Sequence, residues 1–335
     1  MCYRYFILLF LLWSYGLVGQ DVHFSQYNYN YHNLSPALTG LFDGDHRITA
    51  NYRNQWLSVP VPYMTVSIFY DTRIRLSRGK NFLNLGMGMD YDQAGDSRLN
   101  LAKLVGSISY SRILGKKHMI SLGVNPSIAQ RRFNNEKLRW DVQWNGDRYD
   151  KTIASREQFN NTGDFFLSLG AGVGYDFSFT RRTRFNLQGS VFHLNRPDQS
   201  FAGLSTVESR LPERYSVSSQ IQVGVGSHFD LIMGMMYGKQ QDYEETVGLG
   251  MVRLYLNKTP GQVLNLLLGF NARLNDAMIP NIGVEFRNWM ISGSYDINTS
   301  SFQTASRKRG GPEITAQYIF KDVKSPGLYK KCPIY

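Results

Sequence analysis

The chain has 335 residues, of which 42% are hydrophobic and 14% aromatic, with 21 Tyr, 20 Phe and 31 Gly. Past the N-terminus no stretch holds the ~18 apolar residues of a membrane helix, and two cysteines, Cys2 in the leader and Cys332 near the end, exclude an internal disulfide framework. The net charge of +11 is dispersed along the chain, which on an exported protein points to acidic surface polymers and lipopolysaccharide and away from nucleic acid.

Residues 1–19 read as a secretory signal: Arg4 supplies the positive start, Phe6 to Trp13 the apolar run, and Gly16 and Gly19 the small residues before a cut near Gln20. No lipobox follows Cys2, so a lipid anchor is not expected. Residues 20–45 are polar and aromatic, contain Pro36 and Gly40, and lack a clean period. They are expected to form a plug-like periplasmic segment in or under a lumen.

From His46 the period is two. Ile48, Ala50 and Tyr52 alternate with Thr49, Asn51 and Arg53; Met64, Val66, Ile68 and Tyr70 follow. Leu83, Leu85, Met87, Met89 and Tyr91 alternate with Asn84, Gly86, Gly88 and Asp90, and Leu264, Leu266, Leu268 and Phe270 with Asn265, Gly269 and Asn271. Ile314, Ala316, Tyr318 and Phe320 end the series. This alternation is the strand signal. About 14 such segments, each long enough to cross a bilayer when tilted, predict an all-β, antiparallel, up-and-down transmembrane barrel over 46–321, followed by a periplasmic tail, 322–335. The sheet has to close, because open edges cannot be satisfied in lipid.

The connections after even strands are short: 75–80, 114–117, 178–183, 227–228, 257–261 and the turn at Asn288. The long ones, 133–162, 195–212 and 298–310, all follow odd strands and share the other rim. Short periplasmic turns and long outer loops are the outer-membrane pattern, so both termini are expected in the periplasm. Glycines such as Gly86, Gly88, Gly170, Gly172, Gly174, Gly224, Gly226, Gly248 and Gly250 are expected to face inward. Trp56, Tyr70, Tyr91, Tyr237, Tyr255 and Trp289 are candidates for interfacial girdles.

Signals for chemistry are weak. The glycines of 170–174 sit in an alternating strand with no helix after them, unlike a phosphate loop. The stretch 90–96 resembles the start of a calcium loop, but Ala94 and Leu101 occupy ligand positions, so it reads as a polar external loop. The six histidines, His23, His32, His46, His118, His193 and His228, form no i,i+4 pair. No metal or cofactor is expected. There is no Gly-x-Ser-x-Gly elbow; a barrel hydrolase with Ser and His on neighbouring strands stays open as an alternative. Basic pairs, Lys116-Lys117, Arg181-Arg182 and Lys330-Lys331, are candidate docking points for periplasmic partners.

Several stretches resemble one family. Gln20-Asp-Val-His-Phe-Ser-Gln26, Asn33-Leu-Ser-Pro-Ala-Leu-Thr-Gly40 and Tyr52-Arg-Asn-Gln-Trp56 resemble the N-terminal signature of the PorP/SprF family of Bacteroidetes type IX secretion and gliding motility. Gln93-Ala-Gly-Asp-Ser-Arg-Leu-Asn100, Asn135-Glu-Lys-Leu-Arg-Trp140, Ser294-Tyr-Asp-Ile-Asn-Thr-Ser300, Arg309-Gly-Gly-Pro-Glu-Ile314 and the tail Lys331-Cys-Pro333 are similar to later parts of it. Leu34-Ser35-Pro36 departs from the commoner Asn-Pro-Ala. The resemblance implies a barrel without enzymatic activity that supports export or surface anchoring of a large adhesin cargo with a type B C-terminal domain. It also implies periplasmic ring partners (PorK/PorN-like, GldK/GldN-like). The matching stretches make Phe24, Gln26, Tyr52, Arg53, Trp56, Asp96, Trp140 and Arg309 the candidate partner-binding residues. A channel for small or hydrophobic solutes is the competing reading.

Overall fold

A computed structural model describes residues 21–55, 63–76, 80–95, 97–134, 138–156, 162–199, 210–300 and 308–321. The signal 1–19, the tail 322–335, Trp56 and Asp96 lie outside the described residues. Short helical turns come first: a 3-10 turn Tyr27–Tyr29, one α-helical turn Tyr31–Leu34, and a 3-10 turn Pro36–Leu38 whose first amides are capped by Ser35 Oγ accepting from Ala37 N. Then come β1 (His46–Gln55), β2 (Tyr63–Arg75), β3 (Asn81–Ala94), β4 (Leu99–Leu114), β5 (His118–Arg132), β6 (Gly163–Ser178) and β7 (Arg184–Phe192). The second half is β8 (Arg214–Val225), β9 (Phe229–Gln240), β10 (Tyr243–Asn257), β11 (Leu264–Arg273), β12 (Ala277–Phe286), β13 (Trp289–Asn298) and β14 (Arg309–Phe320).

Each strand pairs antiparallel with its sequence neighbours, and β14 pairs with β1 from His46↔Phe320 to Arg53↔Glu313, closing the barrel. Every strand inferred from the alternation is present. One rim carries the short turns, the start of β1 and the end of β14. The other carries the long connections 133–162, 193–213 and 299–308. We call them the terminal rim and the long-loop rim.

The burial pattern is inverted relative to a water-soluble domain. Ile48, Ile68, Met87, Leu104, Leu122, Leu167, Met235, Ile282 and Ile291 are exposed on the outer wall. Arg47, Asp71, Asn84, Asp90, Asp230, Asn271, Asp296 and Glu313 are buried inside. Strands apolar on one face and polar on the other suit a wall between hydrocarbon and a polar interior.

Three expectations fail locally. In β10 the inward positions are Glu245, Val247, Leu249 and Met251, which places Gly248 and Gly250 on the outer wall; Gly226 sits in a turn at φ +55°. The same parity turns Tyr255 inward, where its hydroxyl donates to Asp230, so it belongs to no girdle. Of the other candidates, Tyr70 and Trp289 lie toward the terminal rim, where Trp289 packs edge-on against Tyr318 and Tyr318 against Phe320, while Tyr91 and Tyr237 lie toward the long-loop rim. Of the stretch 90–96 expected as a polar external loop, residues 90–94 are the end of β3.

Candidate functional site: an occupied lumen

The lumen is filled by the chain's own first segment, residues 21–42. This strap begins at the long-loop rim and ends at the terminal rim, held at four levels.

At the top, Asp21 N donates to Gln240 Oε1 (3.1 Å), and the Asp21 carboxylate meets His193 Nε2 (2.8 Å) and Arg214 Nε (3.0 Å). Ser168 Oγ lies 2.7 Å from His193 Nδ1. His193 itself is held at φ +59°, a left-handed backbone that costs a non-glycine residue about 1 kcal/mol or more.

Just below, Glu313 accepts the amides of Ser25 (2.7 Å) and Gln26 (2.9 Å). Arg53 donates to Asp296 (2.8 Å) and to the His23 carbonyl (2.6 Å), and Arg273 pairs with Glu245 (2.9 Å) while donating to Ser25 Oγ (2.9 Å). At mid-depth, His32 and Lys103 both meet Asp90 (3.0 and 2.9 Å), and the His32 ring stacks on Phe69 at 4.4 Å. At the bottom, Arg47 grips Asp71 with two donors (2.9 and 2.6 Å), Gly40 N donates to the same carboxylate (2.7 Å), and the Arg47 guanidinium lies over Tyr31 and Phe42. Asp71, Asp90, Asp296 and Glu313 are therefore junctions between wall and strap, since a buried charge is tolerated only when paired and hydrogen-bonded.

Two glycines make the close approach possible. Gly40 turns the strap toward β1 at φ +72°, and a Cβ there would overlap Asn84. A Cβ at Gly123 would lie 2.5 Å from the Pro36 backbone.

Of the sequence candidates, Gln26 and Arg53 come together at Glu313 in the upper junction, while Phe24 packs apart from them with Val22, Leu101, Ala129, Phe166 and Leu211; all three are buried. Tyr52 points to the outer wall and is 39% exposed. Trp140 lies half-buried in the 133–162 connection, its amide donating to Gln143 Oε1, and Arg309 is exposed at the start of β14. The sequence reading missed Asp71, Asp90, Arg273, Asp296 and Glu313. Their signal was charge at the inward parity of an apolar strand.

A further knot tightens the terminal rim. Asp230 accepts from Arg182, Gln222 (2.7 Å) and Tyr255 (2.5 Å), and Arg253 pairs with Glu285 (3.0 Å). Its carboxylate holds the Arg182 guanidinium, which lies in the turn 179–183, above the usual arginine range.

Ser168, His193 and Asp21 are hydrogen-bonded in series, the connectivity of an acyl-transfer triad. Ser168 and His193 are 6% and 5% exposed, and neither lines the cavity that Asp21 borders. The series therefore works as a latch on the strap. Among the described residues no group of three or more His, Cys, Asp or Glu is placed to hold a metal ion.

A closed antiparallel barrel, apolar outside and polar within, defines a membrane protein of the outer-membrane transporter type. The chain belongs to the PorP/SprF family of type IX secretion system membrane proteins, whose model matches residues 17–318. No curated protein sequence matches it. The toluene transporter TbuX of Ralstonia pickettii is similar in fold, with a TM-score of 0.51 at 12% identity over 85% of this chain and 92% of that one. A mutant of the TodX monoaromatic hydrocarbon channel gives 0.50 at 8%, over 84% and 91%. At such identities the likeness is one of fold.

Proposed function

We propose that this chain is a non-enzymatic outer-membrane component of type IX secretion that supports the export or surface anchoring of a large adhesin-like cargo with a type B C-terminal domain. The observation that carries this reading, beside family membership, is the strap. A lumen crossed from rim to rim by a segment bonded to four buried wall carboxylates, Asp71, Asp90, Asp296 and Glu313, and tied to the rim itself through Asp21, has no room for a passing polypeptide. The cargo is held at a rim.

In this reading the long-loop rim faces outward and docks the cargo through residues 93–100, 133–162 and 298–310. The terminal rim faces the periplasm, where Lys116, Lys117 and Arg181 meet the PorK/PorN-like ring. The C-terminal tail is periplasmic. The strap, by contrast, begins at the outward rim, so the described chain starts and ends at opposite rims rather than sharing one, as its sequence suggested. The test is affinity capture from detergent-solubilised outer membranes. The full chain is expected to retain a large surface protein and ring components; removal of residues 138–156 is expected to lose the first and keep the second. Unchanged capture by that variant would count against docking at this rim.

A hydrophobic-solute channel is the second reading, favoured by the fold shared with a toluene transporter and a monoaromatic hydrocarbon channel. Uptake of radiolabelled toluene by vesicles containing the purified protein separates the two.

A further inference from the structure

The strap does not fill the lumen evenly. On the side of β13, β14 and β1–β4 it is bonded to wall carboxylates and hydroxyls. Three cavities lie beside it elsewhere, the first against β8–β10, the second against β6–β10 and the third chiefly against β4–β7. The first, at the long-loop rim, has about 50 Å³ and is bordered by Phe24, Tyr27, Leu34 and Tyr243. The second, about 280 Å³, is bordered by Tyr27, Leu34, Leu41 and Phe42 on the strap, with Ser218 and Gln220 on the wall. The third, about 360 Å³, opens at the terminal rim between Leu41, Phe42, Asp176 and Lys117. All exceed the ~15 Å³ that one water needs.

Neighbouring cavities share walls. Tyr27 and Leu34 border both the first and the second. Leu41, Phe42 and Asp176 border both the second and the third. The three are thus strung end to end from rim to rim.

The upper division is made of apolar contact. Tyr27 and Leu34 pack into a cluster with Ile232, Met236, Leu249 and Met251. The Tyr27 hydroxyl is buried there and has no hydrogen-bond partner among the described residues. That is costly for a phenol, which normally finds a partner when buried. The lining below is polar, with Ser218, Gln220, Gln222 and Arg253. Apolar constrictions in polar pores close by excluding water, and thioether side chains repack with little resistance.

We infer that the strap's flank is a side conduit for water and small inorganic ions, shut by the Tyr27–Leu34 constriction and opened without removal of the strap. The orphaned Tyr27 hydroxyl is the polar group that a water in the open constriction satisfies. The strap stays because its own anchors, at Asp71, Asp90 and Glu313, lie on other walls. This goes beyond the secretion reading and stands or falls separately from it.

The test is conductance of the purified full chain in planar bilayers with potassium chloride. The wild type is expected to be nearly silent. Leu34→Ala and Tyr27→Ala are expected to raise conductance about tenfold or more, the shift expected from loss of one buried side chain's packing. A pin distinguishes gating from ejection of the strap. Thr39 Oγ1 and Ser107 Oγ are 2.6 Å apart, so Thr39→Cys with Ser107→Cys, in a Cys332→Ser background, is placed to cross-link strap to wall. The conductance of Leu34→Ala is expected to survive that cross-link, and to be lost when Ser218→Trp fills the middle chamber. A truncated constriction as silent as wild type, in a barrel that runs as folded on an unheated gel, would overturn the inference. So would conductance that disappears on cross-linking.

Discussion

Asp71 shows what a single side chain does in this interior. Its two oxygens take both donors of Arg47 and the amide of Gly40, joining β1, β2 and the strap. Asp71→Ala leaves Arg47, 2% exposed, as an uncompensated buried cation. The expected loss is about 3–5 kcal/mol, read as a lower urea midpoint for unfolding from lipid vesicles; Asp71→Asn, which keeps an acceptor, is expected to lose less. Ser168 makes a second prediction at this scale. Because its hydroxyl is enclosed behind His193, a fluorophosphonate probe is expected to leave it unlabelled in the native barrel; stoichiometric labelling, abolished by His193→Ala, would revive the hydrolase reading. These residues were only half legible in the sequence. Period two separates inward Asp90 from outward Met89, but it carries no information on which strap atom Asp90 meets. Glycine was a poor guide to direction. Gly86 and Gly172 do face the strap, whereas in β10 apolar Val247, Leu249 and Met251 face inward to receive Tyr27 and Leu34 and leave Gly248 and Gly250 outside.

The strap is the element least visible from pattern. Residues 21–42 have no sustained period because their environment changes every few residues: carboxylates at Ser25 and Gln26, a methionine-rich wall at Tyr27, glycines at Ser35 and Pro36. Three short helical turns are the local result, each too brief to be stable alone. Their fixed shape comes from the wall. Gly123→Leu, which places a side chain where Pro36 sits, is therefore expected to dislodge the strap while sparing the ladder. Limited proteolysis of vesicles is the check: cleavage within residues 21–42 is expected to rise well above wild type, with the barrel fragment intact. Equal protection of the strap would mean that the wall does not hold it at this point. The long connections are also only partly legible. The segment 138–156 carries its own short 3-10 turn, Asp141–Gln143, and a bridge between Trp144 and Tyr149, local order that loop length alone does not announce.

At the scale of the whole molecule the sequence was far more informative, because lipid leaves few solutions. Alternation demanded strands, the absence of edges demanded closure, and the parity of loop lengths assigned three long connections to one rim. The seam between β1 and β14, from His46↔Phe320 to Arg53↔Glu313, follows from those constraints. Which rim faces outward is a matter for cells: protease added outside is expected to cut within residues 138–156 and to spare the turn 179–183. The family adds what no strand pattern carries, a place in type IX secretion. That placement is the centre of the account, and the surface proteome of a strain lacking this chain tests it most directly. The expected result is loss of one or more large adhesins from the cell surface, restored by the wild-type chain, while other outer-membrane barrels remain at normal levels. A strain that exports and retains every surface adhesin without it would contradict the account.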